Sequence, residues 1–342
     1  MSGGVDSSVA AWQLMQQGHQ VEGVYMRLWG GERHGNSCST ADGAAAKLAA
    51  DHLGIPLHVL DFTQEFNTIV VDSHLEALRR GEIGNPCLSC NRSFKIERLF
   101  DYARNYDYIA TGHYARVVDD AGRAWLARAQ DERKDQSYVM WMVSGPMLGW
   151  LILPNGELSK TELRQIAADA SIPAASTPDS MDLCFDVDVL ARERLALHKA
   201  TLVTTDGREV GELDEMELVS VGQRRGLPPA RAGELGLRRY VIDKDVAARR
   251  VVIGHTDEIM IRSMVVRDCS FTWEPPAHMA AAAVQVSAHA KTISCRIYAV
   301  GKDSLRVVFD HKIRRPSPGQ GAVFYQGDRV IGGGTIASAF ST

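Results

Sequence analysis

The 342-residue sequence predicts an α/β fold: a parallel sheet layered with helices, then a small central β-rich region and a C-terminal β-barrel. Three observations carry this. Up to residue 187, strand-like runs alternate with helical patterns of about 10–15 residues, the signature of βαβ units. Beyond it, short alternating strands are punctuated by Asp206-Gly207, Gly301-Lys302, Pro318-Gly319 and Gly332-Gly333-Gly334, as in small barrels. The charge also divides. Residues 1–220 carry 20 Lys and Arg against 32 Asp and Glu, whereas residues 221–342 carry 18 against 10. With a weaker boundary near residue 258, the expected domains are 1–187, 188–257 and 258–342.

Taken in order, Val5–Gln17 has an amphipathic helical pattern and Gln20–Met26 reads as a strand containing Gly23. The alanine-rich run Asp42–Leu53 is helical, and Gly54-Ile55-Pro56 stops it before a strand at Leu57–Phe62. A helix is expected at Phe66–Arg80, a Gly/Pro/Cys loop at Gly84–Cys90 and a further helix at Ser93–Arg104. Tyr108–Thr111 is a short strand that ends in Gly112-His113. In the second part, strands are expected at Ala200–Thr204, Glu217–Val221, Arg239–Ile242, Arg250–Ile253, Ser263–Val266, Val284–Ser287, Ser294–Val300, Leu305–Phe309 and Ala322–Tyr325.

Composition bounds the function. A net charge of −4 taken alone argues against a nucleic-acid binder, but the basic C-terminal third qualifies that. Such a surface is either the footprint of a polyanion or a solvated face with no partner. No run of about 18 apolar residues is present, which excludes a membrane-spanning helix. The N-terminus lacks a secretory pattern, so a cytoplasmic protein is expected. Six cysteines are too few for a disulfide scaffold and are read as packing, metal or catalytic thiols.

The sharpest local pattern is Ser2-Gly3-Gly4-Val5-Asp6-Ser7-Ser8 opening a helix. Adjacent glycines let backbone approach an anion, and the helix N-terminus presents unpaired amides and a positive dipole end. Ser7 and Ser8 add hydroxyls, and Asp6 offers oxygen to Mg2+. The bland reading is a glycine turn capped by Asp6. A phosphate loop of this kind follows a strand, whereas this sequence opens at the loop, so the first strand is expected upstream of Met1 or missing. In Asn85-Pro86-Cys87-Leu88-Ser89-Cys90-Asn91 two thiols precede a helix carrying Arg92 and Lys95, an environment expected to favour thiolate. The pair could be half of a zinc site, but no second pair completes four ligands, so no metal is expected. Asp179-Ser180-Met181-Asp182-Leu183-Cys184-Phe185 holds a lone cysteine that could equally be buried packing. Cys38, Cys269 and Cys295 lack comparable context. Ala110-Thr111-Gly112-His113-Tyr114 ends a strand where ligands of open sheets bind. Lys134-Asp135-Gln136-Ser137-Tyr138 opens a helix, and Gly222-Gln223-Arg224-Arg225-Gly226-Leu227 suits phosphate contact.

Together these motifs resemble the bacterial tRNA-specific 2-thiouridylases of the ATP-pyrophosphatase superfamily. The likeness runs through those segments in order and on to Pro318-Gly319-Gln320-Gly321-Ala322-Val323-Phe324-Tyr325. It implies an adenine-nucleotide α-hydrolase-like N-terminal domain, a small central domain and a tRNA-binding barrel. By the same resemblance, Met1, Ser2, Gly3, Gly4, Val5, Asp6, Ser7, Ser8, Met26 and Gly112 match ATP-binding positions, with Mg2+ as companion ion. Cys90 matches the nucleophile and Cys184 the persulfide carrier, with a Cys90–Cys184 disulfide formed in turnover. Asn85, Pro86 and Cys87 match the segment facing the target base. His113, Lys134, Asp135, Gln136 and Gln320 match tRNA-contacting positions. The implied reaction is ATP-dependent 2-thiolation of the wobble uridine, on the anticodon stem-loop, by a monomer fed by a persulfide donor or relay protein. Leu213-Asp214-Glu215-Met216 stands where the family has His-x-Gly, and Ser287-Ala288-His289 where relatives carry an arginine. Two other readings stay open on the sequence: a small-molecule amide ligase sharing the loop, and a catalytically dead tRNA-binding remnant.

Overall fold

A computed structural model describes residues 1–30, 40–179, 183–227, 238–275 and 279–341. The chain forms two compact units. The first comprises Met1–Val71, Cys87–Asp186 and Gly327–Ile331; the second comprises Asp72–Pro86, Val187–Gln326 and Gly332–Thr342.

In the first unit, α1 (Val5–Gln16) leads to β1 (Gly23–Arg27), α2 (Thr40–Leu53) and β2 (Leu57–Asp61). β1 and β2 pair in parallel, Gly23 opposite Leu57 through Arg27 opposite Asp61. The amino group of Met1 donates to Val24 O beside them. A second parallel pair joins β3 (Ile109–Ala110), and β4 (Ala115–Asp120) and β5 (Arg123–Arg128) then form a hairpin before β6 (Leu151–Ile152), the partner of β3. The core beneath α1 is Val5, Val9, Tyr114, Leu163, Ala167 and Ile172. It packs α1 against the helix Lys160–Asp169, which Ser159 and Glu162 start with a reciprocal capping box. Residues 327–331 belong here through Arg329, which pairs with Ala127.

Two expectations change in this half. The segment expected as a loop, Gly84–Cys90, is helical over Pro86–Cys90, with proline at the first position, where its missing N–H costs nothing. The helix expected at Phe66–Arg80 is a composite: Thr63–Phe66, a wider π turn at Asn67–Asp72, then Ser73–Arg79.

The second unit holds a four-stranded sheet and a closed barrel. β7 (Ala200–Thr204), β8 (Glu209–Leu213), β9 (Tyr240–Asp245) and β10 (Arg250–Gly254) lie in the order β8-β7-β10-β9, over a core of Leu202, Met216, Val241, Val251 and Ile253. The expected strand Glu217–Val221 is instead a short 3-10 turn, Met216–Leu218. It folds under the sheet so that Glu217 accepts from His198 N and Nδ1 (3.0 and 2.7 Å). The barrel runs β11 (Met260–Phe271), β12 (Ala280–Gln285), β13 (Ile293–Ala299), β14 (Leu305–Arg314), β15 (Gly321–Gln326) and β16 (Arg329–Phe340). Its order is β11-β14-β13-β12-β15-β16, and β16 pairs back onto β11 to close the ring. The Gly332-Gly333-Gly334 run, expected as a turn, lies inside β16. A Cβ on Gly334 would sit 2.6 Å from Val266 Cγ1 and 2.7 Å from Arg267 O, so glycine permits the closing strands to approach.

Candidate active site

The phosphate loop is assembled by contacts that only small residues allow. Gly3 has φ +78°, and a Cβ there would meet Ala45 Cβ at 2.7 Å and Ala46 N at 2.8 Å. Gly4 is the N-cap of α1 and gives it no side-chain cap, so the first-turn amides of α1 stay available for an anion. Ser2 N donates to Ser7 Oγ (3.1 Å), and the hydroxyls of Ser7 and Ser8 donate to Gly4 O (3.2 and 3.0 Å). Gly112 follows β3 and runs against the start of α1. A Cβ there would lie 2.7 Å from both Asp6 C and Ser7 N. Met26 sits half-buried toward the C-terminal end of β1. The loop and Gly112 thus meet beyond the carboxyl end of β3, and Met26 stands near the carboxyl end of β1, the edge at which open α/β sheets bind ligands.

Asn155 and Lys160, absent from the sequence motifs, and Tyr114 and Asp179, which stand inside two of them without an assigned role, complete this region. Buried Asn155 donates to Asp6 O (2.9 Å) and Gly112 O (3.0 Å) and locks the two segments together. Tyr114 OH donates to Asp6 Oδ1 (3.2 Å). Lys160, first residue of its helix, donates to the same Oδ1 (2.6 Å) and lies 2.9 Å from Asp179 Oδ1. Asp179 also accepts from Lys134 Nζ (2.7 Å) and Arg164 Nη2 (2.8 Å). Burial works to raise the Asp179 carboxyl, but Lys134 and Lys160 outweigh it and hold it down at about 2. The Ser159-x-x-Glu162 capping box was the available sequence signal, since it marks the helix that aims Lys160.

The cysteines occupy a different environment. Cys90 is buried, Cys87 and Cys184 are half-buried, and none of the three is in a disulfide. Burial pushes Cys90 up to about 12; Lys95 opposes this, while the neighbouring Cys184 and Cys87 add to it. Burial raises Cys87 too, with Lys95 opposing and Cys184 adding. The expected thiolate-favouring setting is therefore corrected: Lys95 acts in the expected direction, but desolvation is the larger effect. Aromatic residues neighbour the cysteines in sequence and pack on one another. Phe185, next to Cys184, meets Phe66 (ring centroids 5.9 Å) and Trp29 (5.8 Å). Phe66 in turn meets Phe94 (5.7 Å), one turn beyond Cys90 in the π-type helix Asn91–Arg98. Cys38 and Ser180–Asp182 lie outside the described residues. Cys269 and Cys295 are on β11 and β13 of the barrel.

The remaining polar residues are knitted into the fold. His113 is buried, with Nδ1 2.9 Å from Thr111 Oγ1 and Nε2 2.9 Å from Asn91 Oδ1. Burial, with Lys95 adding, pushes its imidazole down to about 3, so the ring is neutral at pH 7. Asp135 accepts from Arg128 Nη1 (2.8 Å), Ala129 N (3.0 Å) and Ser137 Oγ (2.8 Å). Gln136 exchanges two hydrogen bonds with the backbone of Tyr114. The helix begins after this trio, at Ser137. In the second unit, Gln320 Nε2 donates to Ile83 O (2.8 Å) and Ile83 N to Pro318 O (2.9 Å). These bonds fix the stretch that carries Asn85 and Pro86. Among the described residues no group of three His, Cys, Asp or Glu side chains is arranged to hold a metal ion, and no helix is long and apolar enough to cross a membrane.

Comparison with known proteins shows which families the chain is similar to. Residues 1–188 match the family model described as tRNA methyl transferase HUP domain, and residues 261–336 match the aminomethyltransferase beta-barrel domain. The tRNA-specific 2-thiouridylase MnmA of Carboxydothermus hydrogenoformans is 39% identical over 354 residues, covering 98% of this chain and 96% of that protein. The protein of the same name from Chloroflexus aggregans is 40% identical, covering 98% and 97%. That from Symbiobacterium thermophilum is 36% identical, covering 100% and 92%.

Proposed function

The chain belongs to the tRNA-specific 2-thiouridylase family, and on that premise we propose that it catalyses ATP-dependent 2-thiolation of the wobble uridine of tRNA, acting as a cytoplasmic monomer. The observation that carries this is the clustering of Cys87, Cys90, Cys184 and Lys95 in the same unit as the phosphate loop. An amide ligase would use the loop and leave the thiols without a task. The segments 1–187, 188–257 and 258–342 serve in this reading as catalytic, central and tRNA-binding domains.

The chemistry follows from the substrate. A uracil C2 carbonyl is a poor electrophile, and its oxygen is a poor leaving group. Attack of that oxygen on the α-phosphorus of ATP releases pyrophosphate and leaves the oxygen as part of AMP. Gly3, Gly4 and the first-turn amides of α1 cradle the phosphates, and Lys160 supplies positive charge beside them. Asp6 fits a Mg2+ held mainly by phosphates and water: Lys160 and Tyr114 engage Oδ1 only, which leaves Oδ2 as a ligand. That ion would neutralise phosphate charge.

Sulfur arrives as a persulfide on Cys184. The terminal sulfur attacks C2, the C2–O bond breaks and AMP departs. Cys90, giving up its proton, then attacks the Cys184 sulfur, which frees the 2-thio base and forms the Cys90–Cys184 disulfide. Two external thiol groups, by successive exchange through a mixed disulfide, supply the two electrons that reduce it and leave as a disulfide of their own. In the alternative order Cys90 attacks first and releases hydrosulfide, which then adds to C2. The difference in burial suits this division of labour, because half-buried Cys184 is the thiol that a donor or relay protein can load. The base must be splayed out of the anticodon loop to reach these groups. Asn85, Pro86 and Cys87 face it, and His113, Lys134, Asp135, Gln136 and Gln320 form or support the tRNA surface.

The test is 2-thiouridine formation on unmodified tRNA, with ATP and a persulfide donor, read by mass spectrometry together with AMP. One AMP per thiolated uridine is expected, and loss of thiolation below detection in Cys90→Ser and in Cys184→Ser. Thiolation persisting in either variant overturns the two-cysteine route. AMP formation driven by a small amine and indifferent to tRNA overturns the substrate.

A further inference from the structure

Outside the catalytic unit, the second unit carries an open concavity of about 390 Å3 lined by Gln223, Arg224, Arg225, Arg238, Tyr240 and Arg314. Four of its six lining side chains are guanidiniums, and among the described residues no carboxylate lines it. Among the described residues none of Arg224, Arg225 and Arg238 is paired with an acidic group. Four cations gathered with no counter-charge among the described residues repel one another, an arrangement that an anion relieves.

The walls are fixed by the backbone. Gln223 Oε1 accepts from Ser220 N (3.1 Å) while its Nε2 donates to Arg225 O (3.0 Å), so one side chain clamps the turn that presents both arginines. Gly222 N donates to Val241 O (2.8 Å) and Val241 N to Gln223 O (2.9 Å), which seals the turn onto β9. From β14, Arg314 lies over the Tyr240 ring (4.4 Å to its centroid) and donates Nη2 to Gly222 O (2.6 Å). Arg314 is thus pre-oriented, and Arg224 and Arg225 are exposed on a rigid turn.

We propose that this concavity is a docking site for the phosphodiester backbone of the RNA substrate. The proposal rests on tRNA being that substrate and adds where the second unit grips it. Guanidinium forks suit phosphate oxygens. The Tyr240 face is already covered by Arg314, so no ring is offered for base stacking. The one side-chain amide, that of Gln223, is committed at both ends to backbone, so the arginines are assigned to phosphate contact and the contribution to affinity is expected to be uniform across RNA sequences. A free phosphate or small nucleotide would leave most of so wide and open a surface unused.

The test is binding of two unmodified tRNAs of unrelated sequence to the full chain, measured across a salt series. The variants are Arg224→Gln, Arg225→Gln, the double variant and Arg314→Lys. Each loss of a phosphate contact should weaken binding roughly five- to tenfold at moderate salt and reduce the slope of log K against log salt by about one. Both tRNAs should lose equally, with the thermal midpoint of the exposed-arginine variants unchanged. Arg314→Lys keeps the charge but not the fork, and should weaken binding less than either neutral substitution. Wild type that binds and thiolates tRNA, with variants of unchanged affinity and slope, overturns this site alone. Unequal loss on the two tRNAs overturns the backbone mode. Wild type without affinity for tRNA removes the catalytic reading along with this one. Protection of the site by millimolar inorganic phosphate, with tRNA binding unaffected, assigns it to a small anion and overturns the RNA assignment.

Discussion

The phosphate loop and the cysteine cluster lie in one unit and are built on opposite terms. Around Asp6 and Asp179 the groups are charged and cross-linked by short hydrogen bonds, with Lys160 shared between the two carboxylates. The Asp179 carboxyl is held well below its ordinary value. On the Cys90 side Phe94 packs against Phe66, and burial pushes Cys87 and Cys90 up with Lys95 opposing. The loop region is ready for its anion as it stands. Burial thus biases Cys87 and Cys90 toward the protonated form, in which a thiol is a weak nucleophile.

The sharpest way to break this contrast is to measure thiol reactivity against pH. With Cys90 near 12, its alkylation in the native protein at pH 8 should run on the order of a thousandfold slower than that of an unfolded control. The rate should still be climbing above pH 10. Peptide mapping of iodoacetamide-treated protein reads both. A midpoint near pH 8.5, with the rate levelling off by about pH 10, would show an ordinary thiol and remove the distinction between the two regions.

A second experiment asks whether the aromatic packing positions sulfur. Phe185→Ala should cost about 3–5 kcal/mol of stability, because a buried ring leaves a cavity between Trp29 and Phe66. In protein still folded at low temperature, sulfur transfer should fall roughly a hundredfold through misplacement of Cys184, with ATP affinity unchanged. Phe185→Leu, closer in volume, should recover most of the stability. Equal loss of ATP binding and sulfur transfer would mean that the packing supports the whole unit rather than the thiols.

How much of this was legible beforehand differs between the same two regions. The phosphate loop was readable because its glycines and serines are consecutive and their physical role is local. The network that completes it was not, because Asn155, Lys160 and Asp179 reach Asp6 and one another only through tertiary packing. The β4–β5 hairpin was missed because Ala121-Gly122 fills a two-residue turn with φ +55° and +79°, where asparagine or aspartate is the usual first residue. The thiol environment was misjudged in sign. Arg92 and Lys95 are visible in sequence, but the burial that outweighs them depends on Phe66, Phe94 and Phe185 converging from three separate segments.

The smallest effect tests the polar side. The Asp179 carboxyl is depressed from 3.8 to about 2 by its cations, so the native state favours its ionised form. A depressed carboxylate contributes stability that is fully present above the unfolded value near 4 and is lost as pH falls toward 2. Asp179→Asn should therefore lower stability by about 1–2 kcal/mol at pH 7, a figure reduced for solvent screening because the side chain is partly exposed. Between pH 4 and pH 2 wild type should lose this increment and the variant should not, so their unfolding free energies converge. Lys160 retains Asp6 in the variant, so the loop should hold its shape and the ATP dissociation constant should move by less than the stability does. Denaturant titrations at pH 7, 4 and 2.5 measure the convergence. A variant whose deficit persists unchanged at pH 2.5 would show that Asp179 acts by packing and not by charge, and the contrast between an electrostatic loop and an apolar thiol cluster would lose its first half.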